Sequence, residues 1–514
     1  MIALALAATL LVPAGSSGES YDGLVARGLA LGREGRLEDA TRAFDAAIAL
    51  DPGRSEARIE RGGVLFLEKR YEEAAGDLRV ALRLREDAYA RDLLASSLHL
   101  AGRSDEALAV WNPLGRPIVG EVGIGGLVHT RDRVARREVA VASGDVLTLA
   151  HVRETRLRLA ELGVFDRIAV RPVPRGGGKA DLDVALLERH GLARGPVDLA
   201  VGLGANLLQE RVGVHYWNVG GTGISVGGQY RWEENRPDLS VRLDWPRPLG
   251  FGANLRLSVF RGRQLYEVGE PLLRKSRGLD ASLRRVLGSR TVVQLAVRAR
   301  HRSFSRPDPG ARPGDVVGLE AGLDRQLLAT RRHRLDTGIR LFQGSRSLGS
   351  DVPFSRATFT ASYRAFLSPP DATLIDRSVL AARLLWGRAG NGTPIDELFA
   401  PGGSPDMDLP LRGHHQTRDG ALGVTPLGRS LTLTNLEWRR RLVRSTLVQV
   451  GVVAFYDGAW IARTALESDR DHSLHDVGMG IRLAWGGAAL LRFDYGHSLS
   501  DGKNAFFFGL SETF

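Results

Sequence analysis

"DLSVRLDWP", residues 238–246, sets Leu239, Val241, Leu243 and Trp245 in strict alternation with Ser240, Arg242 and Asp244. Successive side chains of a strand point to opposite faces, so one face of this segment meets an apolar medium and the other carries charge. "ALLRFDYGHS", residues 489–498, repeats the pattern, with Leu491, Phe493 and Tyr495 alternating with Arg492 and Asp494. A soluble sandwich alternates in the same way, so the number and length of the strands must decide. Sixteen strands are read, beginning near 197, 209, 222, 237, 252, 276, 289, 315, 332, 355, 374, 430, 446, 474, 488 and 504. Most have the length a tilted strand needs to cross a bilayer, and an even number in a closed barrel returns the chain to its starting side. Residues 195–514 are therefore expected to form a 16-stranded transmembrane antiparallel β-barrel.

Composition narrows the alternatives. No stretch reaches the roughly 18 continuous apolar residues of a membrane helix, so any crossing is made by strands. The chain has no cysteine, which excludes disulfides and thiolate metal sites. Its net charge of +11 is spread over 514 residues without a block of like charges, which argues against a nucleic-acid partner. At the N-terminus an apolar run from Ile2 to Val12 precedes Pro13 and Ala14, so residues 1–18 are read as a signal peptide.

Residues 21–115 repeat. Gly28 superposes on Gly62, Ala40 on Ala74, Phe44 on Leu78 and Ala47 on Ala81 at an offset of 34 residues, and a degenerate third copy places Ala107 and Trp111 in the Ala40 and Phe44 positions. Small residues at fixed positions let stacked helix pairs approach closely. With Pro52 after the second helix, the segment resembles a tetratricopeptide repeat array, whose concave groove implies a periplasmic partner protein or peptide.

Residues 117–190 read as β-α-α-β-β. "PIVGEVGIGGL" is a strand, "TRDRVARREVAVASGD" and "TLAHVRETRLRLAELGVF" are helices, with Val152, Leu157 and Leu159 among the apolar positions of the second, and "RIAVRPVP" and "ADLDVALLE" are strands. With Gly144 after the first helix and Gly163-Val164-Phe165 leading into the second strand, the segment resembles a POTRA domain. An open strand edge there could pair with an extended client.

The connection at residues 388–429 is far longer than a hairpin loop and reads as functional. It contains "FAPGGSPDMDLPLRGHHQ", residues 399–416. Together with the POTRA-like segment and the strand count, this stretch resembles the BamA/TamA and two-partner-secretion transporter superfamily, a group of outer-membrane barrels. Leu411, Arg412 and Gly413 occupy the family's loop motif and Gly402 and Gly403 its Gly-Gly turn, while His414 stands where the family has an aromatic residue. The resemblance implies that the loop folds into the lumen. A buried guanidinium keeps its charge and needs carboxylates within bidentate reach. Asp457, on the same strand face as Phe455, and Glu437 are the expected partners, Asp457 first. The end of the chain, with Phe506, Phe508, Leu510 and Phe514, resembles the C-terminal assembly signal of outer-membrane barrels.

Other motifs fall away. "RGGGKADL" and "GLGANL" lack the residues of nucleotide-binding loops, His414 and His415 lack companions at metal-ligand spacing, and no nucleophile triad stands out. No enzyme, metal or cofactor is expected. The family resemblance implies an assembly or translocation factor that takes unfolded β-rich client proteins from the periplasm and inserts or exports them, in contact with outer-membrane lipid. A passive channel or scaffold with periplasmic binding modules is the alternative.

Overall fold

The computed structural model describes residues 19–189, 191–192, 196–367, 378–403, 409–444, 448–464, 471–485 and 490–510. The expected signal peptide and Phe514 lie outside them. Two compact units divide the chain. One runs to Gly123 and includes Val141–Val152 and Val170–Val184, and the other holds the remaining residues.

Three helix pairs open the chain: α1 (Tyr21–Arg33) with α2 (Leu37–Leu50), α3 (Glu56–Leu67) with α4 (Tyr71–Leu84), and α5 (Ala88–Leu100) with α6 (Ser104–Trp111). Ala40, Ala47, Ala74, Ala81 and Ala107 are wholly buried, and Trp111 is buried beside them in sequence on α6. The glycines explain the spacing. A Cβ on Gly28 would lie 2.6 Å from the Phe44 ring, and one on Gly62 would lie 2.8 Å from Leu78. The same close contact thus recurs one repeat later. Burying a side chain such as Phe44 contributes roughly 1.5–3 kcal/mol, which requires a neighbour without a side chain. Pro52 falls in the turn after α2, where a residue without a donor ends the helix.

Next come β1 (Ile118–Gly125), α7 (Asp132–Arg136), α8 (Leu149–Glu161), β2 (Phe165–Gly176) and β3 (Lys179–Glu188), with sheet order β1-β3-β2. Gly144 and Gly163 adopt φ of +91° and +69°, left-handed values that favour glycine. Val152, Leu159 and Val164 are buried, and Leu157 is half-buried. The first expected helix is much shorter than its sequence suggested. Val139 and Val141 are β-branched and poor helix formers, and the Ala140 N–H donates instead to Thr155 Oγ1 at 2.9 Å.

The remaining chain forms α9 (Pro196–Leu207) and one large sheet. Its wall strands are β4 (Arg211–Tyr216), β5 (Ser225–Arg231), β6 (Asp238–Trp245), β7 (Asn254–Val268), β8 (Glu270–Leu287), β9 (Thr291–Phe304), β10 (Gly314–Ala329), β11 (His333–Gly344), β12 (Ser355–Phe366) and β13 (Ser378–Ala389). Two short strands, β14 (Thr417–Arg418) and β15 (Ala421–Leu422), lie in a loop before β16 (Gly428–Arg444), β17 (Val448–Thr464), β18 (His472–Trp485), β19 (Leu490–Ser498) and β20 (Asn504–Leu510). Neighbours in sequence pair along the wall, β13 pairs with β16, and the sheet closes into a barrel. The segment expected to be a strand from residue 197 is the helix α9 instead. Of the seventeen strands β4 to β20, two are the short loop pieces, leaving fifteen in the wall among the described residues.

Apolar residues form continuous outer rows across this register. Val241 pairs with Val259, Val259 with Leu279, Leu283 with Leu295, Met479 with Tyr495, and Tyr495 with Phe506. All of these are exposed, Met479 at 69% and Phe506 at 59%. Leaving such rows in water would forfeit about 25 cal/mol per Å² of apolar surface, so the medium around the wall is lipid. No described helix is long and apolar enough to cross a membrane.

Candidate functional site

The loop between β13 and β16 folds against the charged inner wall. Gly402 and Gly403, expected at the loop's Gly-Gly turn, run beside residues 414–416, where Gly403 forms a parallel bridge with His415. The Gly403 N–H donates to the His414 carbonyl at 2.7 Å, and the Gln416 N–H donates to the Gly403 carbonyl at 2.9 Å. Close approach is what demands glycine here, since a Cβ on Gly403 would lie 2.1 Å from the Phe507 ring. Leu411, fully buried, packs with Phe399, Leu431, Leu433 and Ile461.

Arg412 has no exposed surface. Its Nε and Nη2 donate to Asp457 Oδ2 and Oδ1 at 2.7 and 2.8 Å, a planar fork, and its backbone N–H donates to Asp457 Oδ2 at 3.1 Å. Nη1 donates to Glu437 Oε1 at 2.5 Å and lies 3.9 Å from Asp494 Oδ2. The guanidinium carbon stands 3.6 Å from the centre of the Phe455 ring, in cation–π range. Glu437 and Phe455 face each other across β16 and β17, as do Asn435 and Asp457, so strand register alone assembles the socket. Asn435 Nδ2 donates to Asp457 Oδ1 at 2.7 Å and to the Pro410 carbonyl at 2.9 Å, tying the carboxylate to the loop backbone.

Around this centre lies a second tier that sequence reading missed. Arg439 Nε donates to Glu437 Oε2 at 2.6 Å, Arg482 Nη1 donates to Asp494 Oδ1 at 2.7 Å, and Arg492 Nε lies 3.3 Å from Asp494 Oδ2. Glu437 and Asp494 thereby each have more than one arginine near them, whereas Asp457 is held by Arg412 and the Asn435 amide; paired and hydrogen-bonded, such charges are tolerated in a buried site. Asp476, also missed, accepts from the Gly413 N–H at 2.5 Å and lies 3.0 Å from His414 Nδ1. His414 Nε2 is 3.3 Å from Asp501. The imidazole thus lies between two carboxylates. Its sequence signal was available, because Asp476 shares the inward parity of Arg482. Gly413 and Gly496 are also required by proximity: a Cβ on Gly496 would lie 1.9 Å from the Arg412 carbonyl oxygen. Among the described residues no group of three or more His, Asp or Glu could hold a metal ion.

Phe506 is exposed on the outer wall, Phe508 is half-buried 5.1 Å from the Phe493 ring, and Leu510 ends β20. Phe507, between the two, is buried, with its ring centre 4.7 Å from that of His415 at a tilt of 54°.

A lipid-facing barrel with a loop pinned inside it, preceded by a β-α-α-β-β domain, defines an outer-membrane barrel protein with a periplasmic module. The chain belongs to the Omp85 superfamily, whose domain matches residues 218–514, and residues 117–189 match POTRA, the surface antigen variable number repeat. Over 138 residues it is 35% identical to the outer membrane protein assembly factor BamA of Neisseria meningitidis serogroup B, covering 26% of this chain and 17% of that protein. Among solved structures, CdiB from Escherichia coli is similar with a TM-score of 0.53 at 12% identity, over 77% of this chain and 75% of that one. CdiB from Acinetobacter baumannii gives 0.50 at 12% identity, over 87% and 85%. These two similarities concern the fold. The protein resides in the outer membrane with its POTRA domain in the periplasm.

Proposed function

We propose that the protein takes unfolded β-rich clients from the periplasm and inserts them into the outer membrane or exports them through a barrel whose lumen the β13–β16 loop closes. The buried pairing of Arg412 with Asp457 and Glu437 carries this reading. A permanent wall would need only apolar packing. A plug held by one guanidinium in a carboxylate socket is specific in place yet releasable as a unit, because its strength depends on a few charge-assisted bonds. Clients would meet the POTRA sheet at β2. The outer side of β1 is already occupied by the bonds from the Val119 N–H to the Asp145 carbonyl and from the Leu147 N–H to the Pro117 carbonyl, and β2 is the opposite edge. The helical repeats would hold a periplasmic partner protein or peptide in their groove, and the outer rows of the wall would contact outer-membrane lipid.

The test is reconstitution in lipid vesicles with a urea-unfolded outer-membrane barrel as client, its folding read by heat-modifiable migration. The account predicts faster client folding than in vesicles carrying an unrelated barrel. Equal rates would overturn the insertion arm and leave a passive channel or scaffold.

A further inference from the structure

The loop touches the wall a second time, with the polarity of charge reversed. Near its start a 3-10 turn, Ile395–Glu397, presents two carboxylates to a cluster of wall arginines. Asp396 Oδ1 accepts from Arg302 Nη1 at 2.7 Å, with both side chains almost wholly buried, and Asp396 Oδ2 accepts from Arg274 Nη1 at 3.1 Å. Glu397 Oε1 accepts from Arg300 Nη1 at 3.2 Å, and its Oε2 lies 3.6 Å from Arg356 Nη1. These arginines belong to β8, β9 and β12, whereas the Arg412 socket belongs to β16, β17 and β19. At the tip the loop supplies the cation and the wall the anions; at the base the loop supplies the anions and the wall the cations.

Apolar and backbone contacts reinforce the base. Ile395 and Leu398 pack with Tyr266, Leu272 and Leu427. The Ile395 N–H donates to the Gly310 carbonyl at 3.0 Å, and Phe399 exchanges backbone bonds of 2.9 and 3.0 Å with Gly428. At the tip the loop backbone is instead tied to side chains of the wall, the Arg412 and Gly413 N–H groups to Asp457 and Asp476 and the Pro410 carbonyl to Asn435, so its hold depends on charged and polar side chains.

Resting on the plug reading above, we infer that Asp396 and Glu397 form a fixed, charge-inverted anchor, so that the loop is a strap that stays fastened at residues 395–399 and releases only at its Arg412 end. They are positioning residues: they act by fixing where the strap pivots. Two substitutions of opposite kind follow. Neutralising the carboxylates leaves four wall arginines without their loop partners and should free the whole strap. Locking the base covalently should change nothing that the tip does.

A Cβ placed on Gly310 would lie 3.6 Å from Ile395 Cβ, within the range of a disulfide, and the chain contains no other cysteine. The experiment uses the full chain with Gly310→Cys and Ile395→Cys, alone and combined with Arg412→Ala, in planar bilayers with and without reductant. The oxidised pair should cross-link almost completely in the folded protein, and Arg412→Ala should raise conductance equally in the oxidised and reduced states. Adding Asp396→Asn with Glu397→Gln to Arg412→Ala, without the cysteines, should raise conductance by a further roughly twofold or more, since separate anchors act independently. Suppression of the Arg412→Ala effect by oxidation, or no further rise on neutralising the carboxylates, would overturn the inference. If no variant conducts, the cross-link still decides the matter. A folded, heat-modifiable barrel that fails to cross-link refutes the anchor, whereas one that cross-links supports it and places the fault with the pore reading alone.

Discussion

Replacing Arg412 by alanine removes the cation from a socket in which Arg412, Asp457 and Glu437 all have fully buried side chains. The three carboxylates around it do not suffer equally. Glu437 keeps Arg439, and Asp494 keeps Arg482 and Arg492, whereas Asp457 loses a two-point fork and retains the Asn435 amide. Breaking a buried ion pair from one side costs about 3–5 kcal/mol, because an uncompensated charge remains. That energy corresponds to roughly two to four powers of ten in the population of released loop. Removing Asp457 as well takes away the stranded charge, so the Arg412→Ala/Asp457→Ala double variant should be little worse than either single one, with a coupling of about 2–3 kcal/mol. The cycle with Glu437→Ala should show a smaller coupling. Unfolding in detergent, followed by loss of heat-modifiable migration across a urea series, measures all the variants on one scale. Additivity of Arg412→Ala and Asp457→Ala within about 0.5 kcal/mol, or a larger coupling to Glu437 than to Asp457, would refute the argument.

Further predictions concern the glycines and His414. Gly28→Ala should destabilise the helical repeats by about 1–3 kcal/mol, because its Cβ would press into the Phe44 ring. Gly32→Ala, with nothing within 4 Å, should instead stabilise them by about 0.5–1 kcal/mol, both read by thermal circular dichroism. Gly496→Ala should release the loop as Arg412→Ala does, seen as raised conductance, because its Cβ would displace the Arg412 carbonyl. Burial disfavours the charged imidazole of His414, but the hydrogen bond to Asp476 and the charge of Asp501 outweigh it and raise its pKa above 6.5. A raised folded-state pKa means that the stabilisation is complete below the unfolded value and lost as pH rises through the folded one. Conductance should therefore increase as pH rises above about 6.5, and His414→Phe should abolish that dependence.

Much of this architecture can be read from residue patterns because the physics is local or periodic. The offset of Gly28 and Phe44 from Gly62 and Leu78 shows a repeated contact before any coordinates, and period-two alternation places Glu437 and Asp457 on the inward face. Where the pattern is ambiguous the reading fails. "PVDLAVGLGANL" is apolar nearly throughout, and a short apolar run fits a strand as well as the helix α9 that forms there. The base anchor was illegible for another reason. Asp396 and Glu397 sit in a 3-10 turn without periodicity, and their arginines come from strands 41 to 122 residues away in sequence. No local signal links them. Asp476 and Asp494 stood at inward positions in plain view, but only the folded loop shows that one binds the Gly413 backbone and the other the arginines around Arg412.

The most direct measurement is planar-bilayer conductance of the refolded full chain, with wild type compared against Arg412→Ala and Asp457→Ala. If the loop closes a membrane pore through that pair, both variants conduct more, or more noisily, than wild type and to a similar degree. Folded, inserted variants that conduct no differently from wild type would contradict the claim that the Arg412–Asp457 contact holds the barrel shut.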